Sequence, residues 1–248
     1  MALYLYAIIK EQDRSFLDNL GLEGMNGQAV HCHSLSPYAI IYSETAEDRY
    51  LASRANLLTH ERVIEQVMHR LPVRQAVPLP LQFGLVVEDW DKVHNELITP
   101  YGDSLLKLLE ELIGKREVGV KIFWQAVDEL NWLVQHDEYL KAQRSSLSGK
   151  ILSMDEAIAI GQALESALEE RQKLIVNTFL GELMPLCHRY VEGELLTENM
   201  VYNGAFLIDD DREPEFAETV EKLDQHFQKR YRIRYNNFTA PYNFVSLD

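Results

Sequence analysis

The sequence predicts an α+β protein of two domains, and three observations carry that prediction. Short apolar and aromatic runs alternate with longer stretches whose apolar residues recur at three-and-four spacing, so strands and helices are interleaved along the chain. The 248 residues are enough for one large or two ordinary domains, and a hydrophobic fraction of 46% suits a chain that buries a real core. Gly114 closes a long helical pattern and marks the main break, which sets domains at 1–114 and 115–239 and leaves 240–248 as a tail.

In the first domain, Leu3 to Ile9 reads as a buried strand ended by the charged run Lys10 to Arg14. Gly21, Gly24 and Gly27 mark a loop. Strands follow near Gln28 to His33 and Tyr38 to Tyr42, with Ser36-Pro37 as the turn between them. From Glu47 to about Leu71 a helix is expected, because Leu57, His60, Ile64, Val67 and Leu71 share one face, and Pro72 stops it. Val77 to Val87 reads as a strand whose prolines put its start at an edge or bulge. Asp89 then caps a helix with Trp90, Val93, Leu97, Tyr101, Leu105, Leu108 and Leu112 on one face, which Pro100 should kink or split. This β-β-β-α-β-α order defines a mixed α/β domain but no particular superfold.

In the second domain, Val118 to Trp124 reads as a strand, followed by a mostly helical stretch with Leu130, Leu133 and Leu140 and a polar, mobile connection from Gln143 to Lys150. Ser153-Met154-Asp155-Glu156 is a capping box, in which the serine hydroxyl and the glutamate carboxylate each satisfy a backbone N–H. The long helix it opens carries Ile160, Leu164, Leu168, Ile175, Phe179, Leu183 and Leu186 on one face and reaches roughly 50 Å. Strands near His188 to Glu192 and Met200 to Ile208, a helix from Glu213 to Lys229 and a strand from Tyr231 to Phe238 complete the order β-α-β-β-α-β. That is the ferredoxin-like, split βαβ arrangement.

The chain closes with Thr239-Ala240-Pro241-Tyr242-Asn243-Phe244-Val245, apolar where most chain ends are polar. Proline favours extended backbone before it, so the tail should run as a stiff ribbon presenting Tyr242 and Phe244 to one side. Docked against the junction of the domains, Pro241, Tyr242 and Phe244 would act as a latch.

Composition excludes several functions. A net charge of −15 repels nucleic-acid phosphates and anionic lipid surfaces. No apolar run approaches the roughly 20 residues of a membrane span, and the opening residues lack the pattern of a signal peptide, so a soluble, cytoplasmic protein is expected. Cys32 and Cys187 make neither a disulfide framework nor a zinc site and fit buried thiols in a reducing compartment.

No string assembles a catalytic, metal or cofactor site. His31 and His33 converge on one strand face, but two ligands do not close a zinc site. Glu61, Glu65 and His69 share a helix face without the spacing of a di-iron site, and with Glu165, Glu169 and Glu170 they read as solvated faces. His60 sits in an apolar stripe as a core histidine with one hydrogen bond. Asp209-Asp210-Asp211 lacks the rest of a calcium loop and reads as a turn capping the next helix. Arg230, Arg232 and Arg234 lack the aromatic motif of RNA-binding sheets and are expected to pair with surplus carboxylates. Phosphate loops, nucleophile elbows and dinucleotide fingerprints are missing, so no enzyme is predicted.

Five strings in order resemble the gas vesicle protein F/L family (GvpF/GvpL): Leu3-Tyr4-Leu5-Tyr6-Ala7-Ile8; His60-Glu61-Arg62-Val63-Ile64-Glu65; Val77-Pro78-Leu79-Pro80-Leu81-Gln82-Phe83-Gly84; Glu117-Val118-Gly119-Val120-Lys121-Ile122; and Ala240-Pro241-Tyr242-Asn243-Phe244-Val245. Gln82 and Leu85 stand where the family often has Arg and Thr, and the closing motif is shortened to Thr-Ala-Pro-Tyr. The resemblance implies a non-enzymatic accessory protein, or minor component, of the gas vesicle that binds the small hydrophobic shell protein (GvpA type) and prevents its aggregation during nucleation. Other vesicle accessory proteins are implied as further partners. The proline-marked strand around Leu81 and Phe83 and the groove under the tail are the expected contact surfaces. A ligand-sensing regulatory protein built on a ferredoxin-like domain is the alternative reading.

Overall fold

The computed structural model describes residues 1–18, 20–147 and 153–246. The fold is mixed α+β, with two antiparallel sheets and seven helices among the described residues. Two compact units divide the chain, and neither is continuous in sequence: Met1–Glu117 with Leu207–Asp211 and Phe238–Asp248, and Val118–Phe206 with Arg212–Asn237.

The first sheet is built on β1 (Ala2–Lys10), flanked on one side by β3 (Tyr38–Thr45) and then β2 (Val30–Leu35). On the other side lie two short pieces, β4 (Leu79–Pro80) and β5 (Val86–Val87). The register between β1 and β3 slips at Tyr6, since Leu5 pairs with Tyr42 and Ala7 with Ile41. This β-bulge switches which residues face the core, so Tyr4, Tyr6, Ala7 and Ile9 all enter one apolar cluster with Ala39 and Ile41. Helix α1 (Arg54–Arg70) covers that face with Val63, Ile64 and Val67. On the opposite face lie α2 (Trp90–Lys92) and α3 (Thr99–Leu112), the latter tied to the sheet where the Tyr38 hydroxyl donates to the Gly102 carbonyl at 2.5 Å.

Three elements differ from the sequence expectation or sharpen it. Helix α1 begins at Arg54 rather than Glu47, because the Thr45 hydroxyl accepts from the Glu47 N–H and holds a turn, and Ser53 supplies the cap for Asn56. The strand expected over Val77 to Val87 pairs with β1 only at its ends. Residues 81–85 bulge away between them, with Gly84 at φ 87°. The helix after Asp89 is not broken at Pro100, since Ile98 and Thr99 before it keep helical backbone, but its winding changes there. Proline offers no N–H and crowds the preceding turn, and Val93–Ile98 widens into a π-helical stretch in which the Thr99 N–H reaches back to the His94 carbonyl.

The second sheet has the order β7 (Arg189–Glu192), β8 (Met200–Asp209), β6 (Lys115–Phe123), β9 (Arg232–Thr239). The ambiguous stretch after β6 forms two helices, α4 (Ala126–His136) and α5 (Glu138–Leu147). The polar connection expected from Gln143 onward is therefore helical through residue 147, and residues 148–150 lie outside the described residues. The capping box at Ser153 and Glu156 opens α6 (Met154–Leu183), whose 30 residues span about 45 Å. Only Ile175, Phe179 and Leu183 of its apolar stripe are fully buried, whereas Ile160, Leu164 and Leu168 stay partly exposed. Helix α7 (Glu213–His226) packs beside α6 and ends three residues before Lys229, where Gln228 and Lys229 take positive φ.

Candidate functional site

In the first unit, residues from all five strings that carry the family resemblance come together. His60, on the core face of α1, is 2% exposed. Its Nε2–H donates to the Leu81 carbonyl at 3.1 Å, which leaves Nδ1 to accept from the Tyr4 hydroxyl at 3.0 Å. The Tyr4 oxygen in turn accepts from the Gly84 N–H at 3.1 Å. The chain of bonds thus fixes one neutral tautomer, and burial holds the imidazole well below its usual range, at about 4. His60 makes two hydrogen bonds where the sequence led us to expect one. The same network explains the bulge at residues 81–85: Leu81 N–H bonds the Tyr6 carbonyl, and Leu85 returns a carbonyl to Leu5 N–H.

Aromatic rings close around this histidine. Tyr6 stacks on it with centroids 5.6 Å apart, Phe83 meets it edge-on at 5.7 Å, and Tyr242 of the tail lies at 6.5 Å. Of the residues singled out in the sequence, Leu81 is core at 7% exposure and Phe83 is half-buried against the cluster. Pro241 and Phe244 are buried, and Tyr242 is half-buried with a phenol oxygen that has no hydrogen-bond partner among the described residues. Burial and the nearby carboxylates of Glu61, Glu65 and Glu117 push that phenol up.

The tail is not the extended ribbon that its sequence suggests. Tyr242–Phe244 forms a 3-10 turn, with Tyr242 N–H bonded to the Ala240 carbonyl and Phe244 N–H to the Pro241 carbonyl. That turn aims both donors of Asn243 at one carboxylate. Glu117 accepts from the Asn243 N–H at 3.0 Å and from its Nδ2 at 2.6 Å, and no ion pair to Glu117 occurs among the described residues. At 3% exposure without a cation, the Glu117 carboxyl is pushed up by burial to about 7, against which the two Asn243 bonds work. Sequence reading missed this pair. Both residues stand in the strings of the resemblance, but nothing local links positions so distant in the chain.

The second unit holds a separate buried charge cluster. Glu129 of α4 accepts from Arg171 Nε at 2.6 Å, from Arg230 Nη1 at 2.9 Å and from the Tyr231 hydroxyl at 2.9 Å. Both guanidinium groups lie over the Trp132 ring, at 4.7 and 4.0 Å. Burial, then the bond to Glu129, pushes the Tyr231 phenol up to about 12. The sequence does carry a signal for it: Glu129 falls four residues before Leu133 and Arg171 four before Ile175, so both occupy apolar register positions. Arg230 finds a carboxylate, as expected, whereas Arg232 and Arg234 lie over the Phe123 ring.

Other candidates resolve differently from expectation. Asp210 does not cap α7 but binds Arg116, whose Nε donates at 2.6 Å, and no side chain caps that helix. Cys32 and Cys187 are half-buried rather than buried, and burial raises both thiols, Cys32 to about 11. His33 stacks on Trp90 at 3.7 Å, and His31 packs on Tyr42. No group of three or more His, Cys, Asp or Glu side chains converges on a metal position among the described residues. No helix there is long and apolar enough to cross a membrane.

Comparison with known proteins points one way. Residues 2–246 match the family described as gas vesicle synthesis protein GvpL/GvpF. The chain is 47% identical over 246 residues to gas vesicle protein F of Dolichospermum flosaquae, covering 99% of this chain and 98% of that one. The crystal structure of GvpF from Anabaena sp. PCC7120 matches it with a TM-score of 0.83 at 40% identity, over 100% of this chain and 97% of that one. GvpF from Microcystis aeruginosa matches with a TM-score of 0.80 at 41% identity, over 99% of both chains.

Proposed function

The chain belongs to the GvpL/GvpF family of gas vesicle proteins, and from that premise we propose that it is a non-enzymatic accessory protein of vesicle assembly that binds the main shell protein and prevents its aggregation during nucleation. The observation that carries this reading is the family match over almost the whole chain, at an identity that spans both units. The charge supports it. A body carrying −15 keeps an apolar client dispersed through like-charge repulsion between complexes. In this reading the protein works at the gas vesicle, inside the cell.

The same proposal assigns roles within the fold. The strand order β7-β8-β6-β9, with α6 and α7 side by side, supports a ferredoxin-like second domain into which α4 and α5 are inserted. In the tail 240–248, whose last two positions lie outside the described residues, residues 240–246 act as a latch on the first unit, with Pro241, Tyr242 and Phe244 as its apolar teeth and Glu117 as its catch. Leu81 and Phe83 form the cradle that the latch closes on. Co-expression with a gas vesicle shell protein tests the function: the reading expects a complex and a larger soluble shell fraction. Absence of both would remove it.

A further inference from the structure

The loop between β7 and β8 carries two consecutive leucines in solvent, Leu195 at 48% and Leu196 at 65% exposure. The loop is not slack. Gly193 N–H donates to the Asn203 carbonyl at 2.8 Å, the Asn203 side-chain amide donates to the Glu194 carbonyl at 2.9 Å, and Met200 N–H donates to the Thr197 carbonyl at 3.0 Å. The Thr197 hydroxyl donates to Asn199 Oδ1 at 2.7 Å. Gly193 leaves room for the Asn203 amide, since a β-carbon there would sit 2.6 Å from Asn203 Nδ2 and displace it from Glu194. The backbone that presents the leucines is therefore ordered before any partner arrives, which removes much of the entropic cost of docking.

The surroundings state what kind of partner fits. Glu192, Glu194 and Glu198 are exposed around the two leucines, and none of them is in an ion pair among the described residues. Three such carboxylates reject an anionic lipid surface or an acidic protein and favour a basic rim. Strand β7, which feeds the loop, is the outer strand of its sheet and exposes Tyr190 beside it. Leu81, by contrast, is core, so a partner reaching it would first have to open the first unit.

We infer that the β7–β8 loop is the contact by which the chain holds the shell protein, with Leu195 and Leu196 entering an apolar cleft whose rim carries lysine or arginine opposite Glu192, Glu194 and Glu198. The inference rests on the shell-binding role proposed above. Its test is co-expression of the full chain with the shell protein, comparing wild type with Leu195→Ser/Leu196→Ser. Both leucines are exposed, so the variant should melt with wild type. Loss of two buried leucine contacts should weaken the complex about a hundredfold. If wild type binds and the double variant binds equally well, the loop is not the contact, and the shell-binding role stands without it. If neither binds, the shell-binding role fails and the inference with it. Glu194→Lys/Glu198→Lys tests the rim: binding should fall most at low salt, and binding equal to wild type at every salt concentration would overturn the basic rim.

Discussion

Replacing Glu117 by glutamine should stabilise the protein above neutral pH, an unusual result for a buried residue that holds two hydrogen bonds. The folded carboxyl titrates at about 7 against an ordinary 4.5, so the native state binds the extra proton across that interval. Stability from this group is therefore fully present below about pH 4.5 and is lost as pH rises through about 7, by about 3 kcal/mol at roughly 1.4 kcal/mol per pH unit. The substituted amide carries no charge to bury but offers one acceptor to the two donors of Asn243, which costs about 1 kcal/mol. The net expectation at about pH 8 is a gain of about 2 kcal/mol, or a Tm higher by roughly 4–8 °C, with the variant about 1 kcal/mol less stable than wild type near pH 4.5, where only the lost acceptor counts. His60 makes the difference curve necessary. Its depressed value of about 4 gives a contribution that is present above its usual 6.5 and lost in acid, which nearly cancels the slope from Glu117 in wild type. Thermal melts of both proteins across pH measure the difference directly. A variant that melts below wild type at about pH 8, or a difference independent of pH, would refute the claim that an uncompensated carboxylate is buried there.

Two further outcomes follow from the buried networks. His60→Phe keeps an aromatic ring in the cluster but strands the Tyr4 hydroxyl and the Leu81 carbonyl, and chemical denaturation should show a loss of about 2–4 kcal/mol; a loss below about 1 kcal/mol would mean that the bond chain contributes little. Glu129→Ala leaves Arg171 and Arg230 facing one another over Trp132, and should cost about 3–5 kcal/mol in the same assay, with Glu129→Gln recovering part of it; full recovery by the neutral, near-isosteric glutamine would show that packing rather than charge matters there.

Elements set by local chemistry were legible before the structure. The box at Ser153 and Glu156, the irregular helical turn before Pro100 and the cap at Asp89 each rest on residues within one or two turns of each other. What failed depended on contacts made across the chain. The short apolar and aromatic run Leu3 to Ile9 identifies a strand but cannot place the extra residue at Tyr6, because the bulge is defined by its pairing with β3. Residues 77–87 have the composition of a strand, yet Tyr4 and His60 draw residues 81–84 out of line. The tail was legible as docked apolar chain, but its turn is set by Glu117, which lies 126 positions from Asn243. The charge cluster at Glu129 was not legible as a cluster, because its partners Arg171, Arg230 and Tyr231 lie 42 to 102 positions away in the chain.

The latch requires that the closing tail hold the first unit together. The tail-deleted protein, melted and tested for shell-protein binding beside wild type, decides this most directly. Removing buried Phe244 and Pro241 and stranding Glu117 should cost about 4 kcal/mol and lower Tm by roughly 8–16 °C. Binding measured well below the new Tm should persist. Unchanged melting with lost shell binding would contradict the latch and make the tail itself the recognition element.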